Sequence, residues 1–229
     1  MRPREVAEFC RKASKAIGVP LNVEGKYRWI VFLPSKVSSA VPVLNRYYGV
    51  FEDGRIKMRG IEARRGDTPP FIEKAQIEMI RTLVKASSYE EFLARIPTAL
   101  GVLKQHAEEL ISKRVDVEAL LIAKRLSKRP SNYMHDVFQA IAARQLKTAG
   151  FDVYPGQTVQ YLIADSKSKR VNERVLAKQM IKDKVNYDVE KYLELLISAS
   201  DTLVGVFGYD SERIRDLILY REKQLAFND

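Results

Sequence analysis

Cysteine is almost absent from this chain: Cys10 stands alone, which excludes an internal disulfide. Histidine is nearly as scarce, and one thiol with His106 and His135 in unrelated segments lacks the ligand spacing of a zinc site. The same scarcity leaves no nucleophile with a base and an orienting acid beside it. No apolar run approaches the roughly 20 residues that cross a bilayer, and charges at Arg2, Arg4 and Glu5 have no apolar stretch behind them, so a cytoplasmic protein with no membrane partner is expected. No glycine-rich loop leads from a strand into a helix with a following Lys and Ser or Thr, so no phosphate-binding loop of a nucleotide hydrolase is present. Adjacent carboxylates occur at Glu90-Glu91 and Glu108-Glu109, but neighbours on a helix diverge by about 100° and do not converge on a metal. Internal repeats and low-complexity segments are missing too.

What the chain has in excess is positive charge. Its 39 Lys and Arg outnumber 29 Asp and Glu, a formal +10 that favours a polyanion through counterion release. A basic surface that merely keeps the protein soluble accounts for the charge equally well, so motifs must decide.

Periodicity predicts an α+β chain. Val6, Phe9, Cys10, Ala13 and Ile17 fall at helical spacing before Gly18 and Pro20. Between Lys26 and Glu62 the texture turns β-branched and aromatic, in runs 27–33, 41–51 and 56–61, with Asp53-Gly54 as the turn of a hairpin. After Asp67 the period becomes helical, with Thr68 placed to cap and Pro69 to occupy the first helical position of a stripe formed by Ile72, Ala75, Met79, Ile80 and Leu83. Ser88 to Glu91 has capping-box spacing and opens a helix that Pro97 should kink. Further helices are expected at 116–126, 131–149, 188–204 and 211–220, and a compact β element around 153–164 turning at Pro155-Gly156. The boundary between the strand-rich and helical parts is placed at 66/67.

The densest chemical signal surrounds the hairpin: Arg46, Tyr47, Tyr48 and Gly49, then Arg55, Lys57, Arg59, Gly60, Arg64 and Arg65. Strand alternation puts Arg55, Lys57 and Arg59 on one face, where three cations repel one another unless an anionic backbone lies across them. A solvated strand face is the competing reading.

The order Asn45-Arg46-Tyr47-Tyr48-Gly49-Val50, a turn at Glu52-Asp53-Gly54, then Lys57 to Pro69 resembles the segment that leaves the palm of archaeal family B DNA polymerases. Three more patches continue the resemblance in order: Leu126 to Pro130 with Tyr133, Val153 to Val159, and Tyr187 to Tyr192, with Phe207-Gly208-Tyr209 completing the series. Taken as a member, the chain would comprise antiparallel strands from the end of the palm (1–66) and a mostly helical thumb with a small β element (67–229). The resemblance implies that Arg46 and Tyr47 lie along the primer strand, that Arg59, Arg64, Arg65 and Asp67 hold duplex backbone at the palm–thumb junction, and that Ser127, Lys128 and Tyr133 contact phosphate. Two lysines common before the Arg-Tyr pair are Leu44 and Asn45 here, and Gly66 stands where the family has one arginine of a pair.

The family's aspartate-rich catalytic motifs and its fingers motif do not occur in the sequence. The resemblance therefore implies the small subunit of a split polymerase, working in the nucleoid on primer–template DNA with a large subunit that supplies the catalytic aspartates and binds Mg2+, while this chain binds no metal. A sheet without the rest of its palm should expose an apolar edge, for which Val31, Leu33, Val43 and Val50 are candidates. The alternative is a stand-alone DNA-binding or regulatory protein derived from a thumb, or a fragment of a longer chain. Gln224-Leu225-Ala226-Phe227 is a weak match to a sliding-clamp-binding tail, with incomplete spacing.

Overall fold

The structure is a computed structural model describing residues 3–35, 41–182 and 185–225. Two three-stranded antiparallel sheets are joined by helices. Helix α1 (Pro3–Ile17) leads into strands β1 (Tyr27–Pro34), β2 (Pro42–Phe51) and β3 (Ile56–Arg59) of the first sheet. Helices α2 (Pro70–Leu83) and α3 (Tyr89–Ile111) follow. The second sheet contains β4 (Ile122–Arg125), β5 (Thr158–Ile163) and β6 (Val175–Ala177), with α4 (Phe138–Thr148) between β4 and β5. Helices α5 (Val189–Val204) and α6 (Ser211–Leu225) complete the described fold. Ala226 and Phe227, half of the weak match to a clamp-binding tail, lie outside the described residues.

Register decides what each face of the first sheet does. Trp29 pairs with Val50, Val31 with Tyr48, and Tyr48 with Met58, so these side chains share one face. That face packs on helices of the same chain: Trp29 Nε1 donates to the Ala86 carbonyl, and the buried Tyr48 hydroxyl donates to the Leu203 carbonyl at 2.8 Å. Phe92 stands edge-on to Trp29 and also meets Phe207, so the Phe207-Gly208-Tyr209 patch begins with a packing residue.

This burial corrects the expected partner edge. Leu33 and Val50 are each 1% exposed and belong to the chain's own interior, and Val31 packs against that interior from the same face. Val43 is half-buried. The chain's own helices cover the face that carries Leu33 and Val50, and only the opposite face is left open. The apolar side chains left exposed in this part of the chain include Phe32 and Leu44 on the strands, and Phe9 and Ile17 on α1.

The second half is fastened by buried tyrosines. The Tyr192 hydroxyl accepts from the Ile163 amide and donates to the Leu120 carbonyl, and the Tyr187 hydroxyl donates to the Leu110 carbonyl. Asp188 caps α5 by accepting from the Lys191 amide. Three local expectations need correction. Residues 116–126 are not one helix, because a 3-10 turn (Val117–Leu120) gives way to β4, whose pairing with β5 satisfies the backbone of a buried apolar run. Residues 130–137 form a 3-10 turn and a loop before α4. Thr68 does not cap α2; its hydroxyl donates to the Glu62 carbonyl, and Pro70 takes the first helical position. The helix at Ser88 is capped as expected, with the Ser88 hydroxyl accepting from the Glu91 amide, and it runs through Pro97.

Candidate nucleic-acid interface

The face of the first sheet that points away from the helices holds a row across all three strands: Phe32, Tyr47 and Arg59 are register partners. The Phe32 and Tyr47 rings lie 5.8 Å apart. Arg59 is exposed and has no side-chain partner among the described residues. Lys57 shares that face, because Ile56 and Met58 take the other. The three-cation repulsion expected along 55–59 is relieved from within the chain: Arg55 Nε donates to Asp53, its Nη2 donates to the Glu24 carbonyl, and Lys57 pairs with the Glu24 carboxylate. Arg59 remains the uncompensated cation of the three.

Arg46 is half-buried on the other face. Its guanidinium donates to the Pro34 carbonyl at 2.6 Å and to the Gly60 carbonyl at 3.3 Å, stitching β1 to the exit of β3. Two of its five N–H groups are spent on structure, so Arg46 is a brace as well as a cation. Gly60 makes this brace possible. Its φ is +65°, and a Cβ there would fall 2.3 Å from the Asn45 carbonyl oxygen and 2.9 Å from Arg46 Cγ. Gly60→Ala should cost roughly 1–3 kcal/mol from backbone strain and dislodge Arg46. Thermal melting checks this, each kcal/mol lowering Tm by about 2–4 °C in a chain of this size.

The chain then turns through a 3-10 helix (Glu62–Arg64) that presents Arg64 to solvent without a side-chain partner among the described residues. Arg65 grips Asp67 through two hydrogen bonds, Nε to Oδ1 at 2.9 Å and Nη2 to Oδ2 at 3.0 Å, and Lys124 from β4 also donates to Asp67 Oδ2. Arg65 foremost, then Lys124, holds the Asp67 carboxyl well below the usual carboxylate range, against the upward push of partial burial. A carboxyl depressed in the folded state stabilises it fully above the unfolded pKa, near 4, and less as pH falls through the folded value. Asp67→Asn should therefore flatten the acid limb of a Tm-against-pH curve below about pH 4 and leave its shape near neutrality unchanged.

Beyond β4, Tyr133 closes a loop. Its hydroxyl accepts from the Ser127 amide at 3.0 Å and the Lys128 amide at 3.4 Å, and lies 3.3 Å from the Ser127 hydroxyl. Partial burial raises the pKa of this hydroxyl, and the Ser127 and Lys128 donors outweigh it, so the net shift is downward. Tyr133 and Ser127 thus shape the loop, while the exposed Lys128 ammonium has no ion-pair partner among the described residues.

Gln76 and Lys124 escaped the sequence reading. Gln76 is 1% exposed; its Oε1 accepts from the Ala63 amide, and its Nε2 donates to Glu62 Oε2 and the Ala199 carbonyl. It pins the turn that carries Arg64 and Arg65 to α2 and α5. A polar residue inside the apolar stripe 72–83 was its only signal. Lys124 carried none, because its partner Asp67 is 57 residues away.

Among the described residues, no three His, Cys, Asp or Glu side chains could hold a metal ion, and no helix is long and apolar enough to cross a membrane. The site consists of cations displayed on braced backbone.

Comparison with known proteins agrees with this fold. A family model described as DNA polymerase family B matches residues 43–205. "DNA polymerase 2" of Aeropyrum pernix is 26% identical over 214 residues, 93% of this chain and 24% of that protein. "DNA polymerase 1" of Saccharolobus solfataricus is 27% identical over 195 residues, 85% of this chain and 20% of its own length. The solved family B DNA polymerase of Pyrobaculum calidifontis superposes with a TM-score of 0.63 at 24% identity, covering 90% of this chain and 25% of that one, a likeness of fold. The chain thus spans a quarter or less of each of these proteins.

Proposed function

This chain belongs to DNA polymerase family B, and on that premise we propose that it is the palm end and thumb of a split polymerase, gripping the backbone of a primer–template duplex. The observation that carries the reading is the set of cations without a side-chain partner among the described residues, held on braced backbone: Arg59 beside Tyr47, Arg64 on its turn, and Lys128 on the loop held by Tyr133. Phosphate contacts of this kind fix position and carry no sequence information, which suits a protein that must hold any duplex. Residues 1–66 serve as palm and 67–229 as thumb.

Nucleotidyl transfer is assigned to a larger catalytic subunit. Among the described residues no cluster of His, Cys, Asp or Glu fits the two-metal chemistry of polymerases, so no chemical step is routed through them. Mg2+ belongs with the partner's aspartates. The exposed Leu44 of the first sheet and the apolar stripe of α1 are the surfaces offered to that partner.

The test is titration of a fluorescent primer–template with the purified chain from 50 to 300 mM salt. The reading predicts binding whose logarithm falls linearly with log salt, at about 0.9 unit per phosphate contact, with the same affinity for unrelated sequences. Binding confined to one sequence, or absent at 50 mM salt, defeats it. Adding the chain to its cognate large subunit should lengthen the products of primer extension; DNA binding without any such effect would favour the stand-alone DNA-binding alternative.

A further inference from the structure

We infer that Asp67 is a positioning residue that never touches DNA: it holds Arg65 and Lys124 as one two-cation unit across the junction between the two sheets. The inference rests on the duplex-gripping reading and assigns Asp67 a role opposite to that of a backbone contact.

A carboxylate repels phosphate, so a direct contact between Asp67 and an anionic backbone is unfavourable on Coulomb grounds alone. The geometry gives it other work. Its two oxygens occupy the Nε–Nη2 edge of Arg65, and the Nη1 group has no hydrogen-bond partner among the described residues. Lys124 spends one of three ammonium donors on the same carboxylate. The Asp67 side chain is 21% exposed, against 47% for Arg65 and 39% for Lys124, so the anion sits beneath and the cations reach past it. All three line a cleft of about 290 Å³ together with Ile72, Ile122 and Tyr161, and charge-assisted bonds hold their geometry there. Lys124 stands on β4, three residues before Ser127, so the contact also sets where the Lys128 loop lies relative to the exit of the first sheet. The anion costs one unit of charge and in return fixes two cations whose long side chains would otherwise wander.

This makes a prediction opposite in sign to simple electrostatics. Removing a negative charge beside a DNA-binding surface should tighten binding; if Asp67 positions the cations, Asp67→Asn should weaken it, by about threefold or more at 0.1 M salt, with a shallower salt slope. The experiment compares the unaltered chain with Asp67→Asn, Asp67→Glu and Arg59→Ala in the primer–template titration, below the melting temperature of each variant. Weaker binding by Asp67→Asn with recovery in Asp67→Glu supports the inference. In an Arg65→Met/Lys124→Met background the same Asp67→Asn change should reverse sign and tighten binding, because only its repulsion is left. Unchanged or tighter binding by Asp67→Asn in the otherwise unaltered chain overturns the inference while leaving the grip intact, provided Arg59→Ala still weakens binding. If Arg59→Ala is also without effect, the gripping reading itself falls.

Discussion

Replacing Arg59, Arg64 and Lys128 together with alanine should weaken binding to primer–template by a few hundredfold at about 0.1 M salt, since each phosphate cation contributes close to 0.9 log unit per decade of salt. The slope of log affinity against log salt should fall by nearly three in the same titration. These three are the appropriate targets because none has an intrachain partner among the described residues, so their removal deletes charge without unpinning backbone. The loss should be uniform across DNA sequences, and each single change should move Tm by less than about 2 °C, as exposed substitutions are worth within about 0.5 kcal/mol apiece. Arg46→Ala is a poorer probe. It frees the Pro34 and Gly60 carbonyls, so lost affinity would be mixed with lost order at the strand ends. A triple variant that binds as tightly as the unaltered chain would move the interface elsewhere on the surface.

The second large effect is on stability. Gln76→Ala should destabilise the fold by about 3–4 kcal/mol, because it strands the buried Ala63 amide, removes donors from Glu62 and the Ala199 carbonyl, and opens a small cavity. In a 229-residue chain that is a fall in Tm on the order of 10 °C. Gln76→Leu fills the volume without the bonds and should recover only the cavity part, roughly 1 kcal/mol. Calorimetry of the two variants separates these contributions. Because Gln76 anchors the turn bearing Arg64 and Arg65, both variants should also bind DNA more weakly at temperatures where they remain folded. A Gln76→Ala protein that melts like the parent would mean that the Glu62–Arg64 turn is held by something other than this amide.

Several motif residues that carry the family resemblance turn out to be fasteners. Tyr192 joins three segments through one hydroxyl, Phe207 packs on Phe92, and Tyr133 closes a loop. A search for contact residues by motif alone therefore mixes ligand-facing groups with packing groups. Ser127 and Tyr133 share this ambiguity, and Lys128 between them is the clearer candidate for phosphate.

Much of this protein is legible in its sequence, for local reasons. Alternation and β-branching marked the three strands of the first sheet, Asp53-Gly54 marked the hairpin turn with Gly54 at φ +87°, and helical spacing marked α1, α2, α3, α5 and α6 within a few residues at the ends. The surplus of cations and the ordered patches pointed to the family. Tertiary contacts decided the rest. Whether 120–126 became helix or strand depended on a partner strand more than 30 residues away, and whether Leu33 and Val50 faced a partner or their own interior depended on where α2, α3 and α5 came to rest. Which cations remained free was likewise set by placement: Glu24 reached Lys57, and Asp67 reached Lys124, while no side chain among the described residues reached Arg59. The sequence determined the sum of charges because charge is a property of residues. Only the folded chain determined which charges are spent, because compensation is a matter of distance.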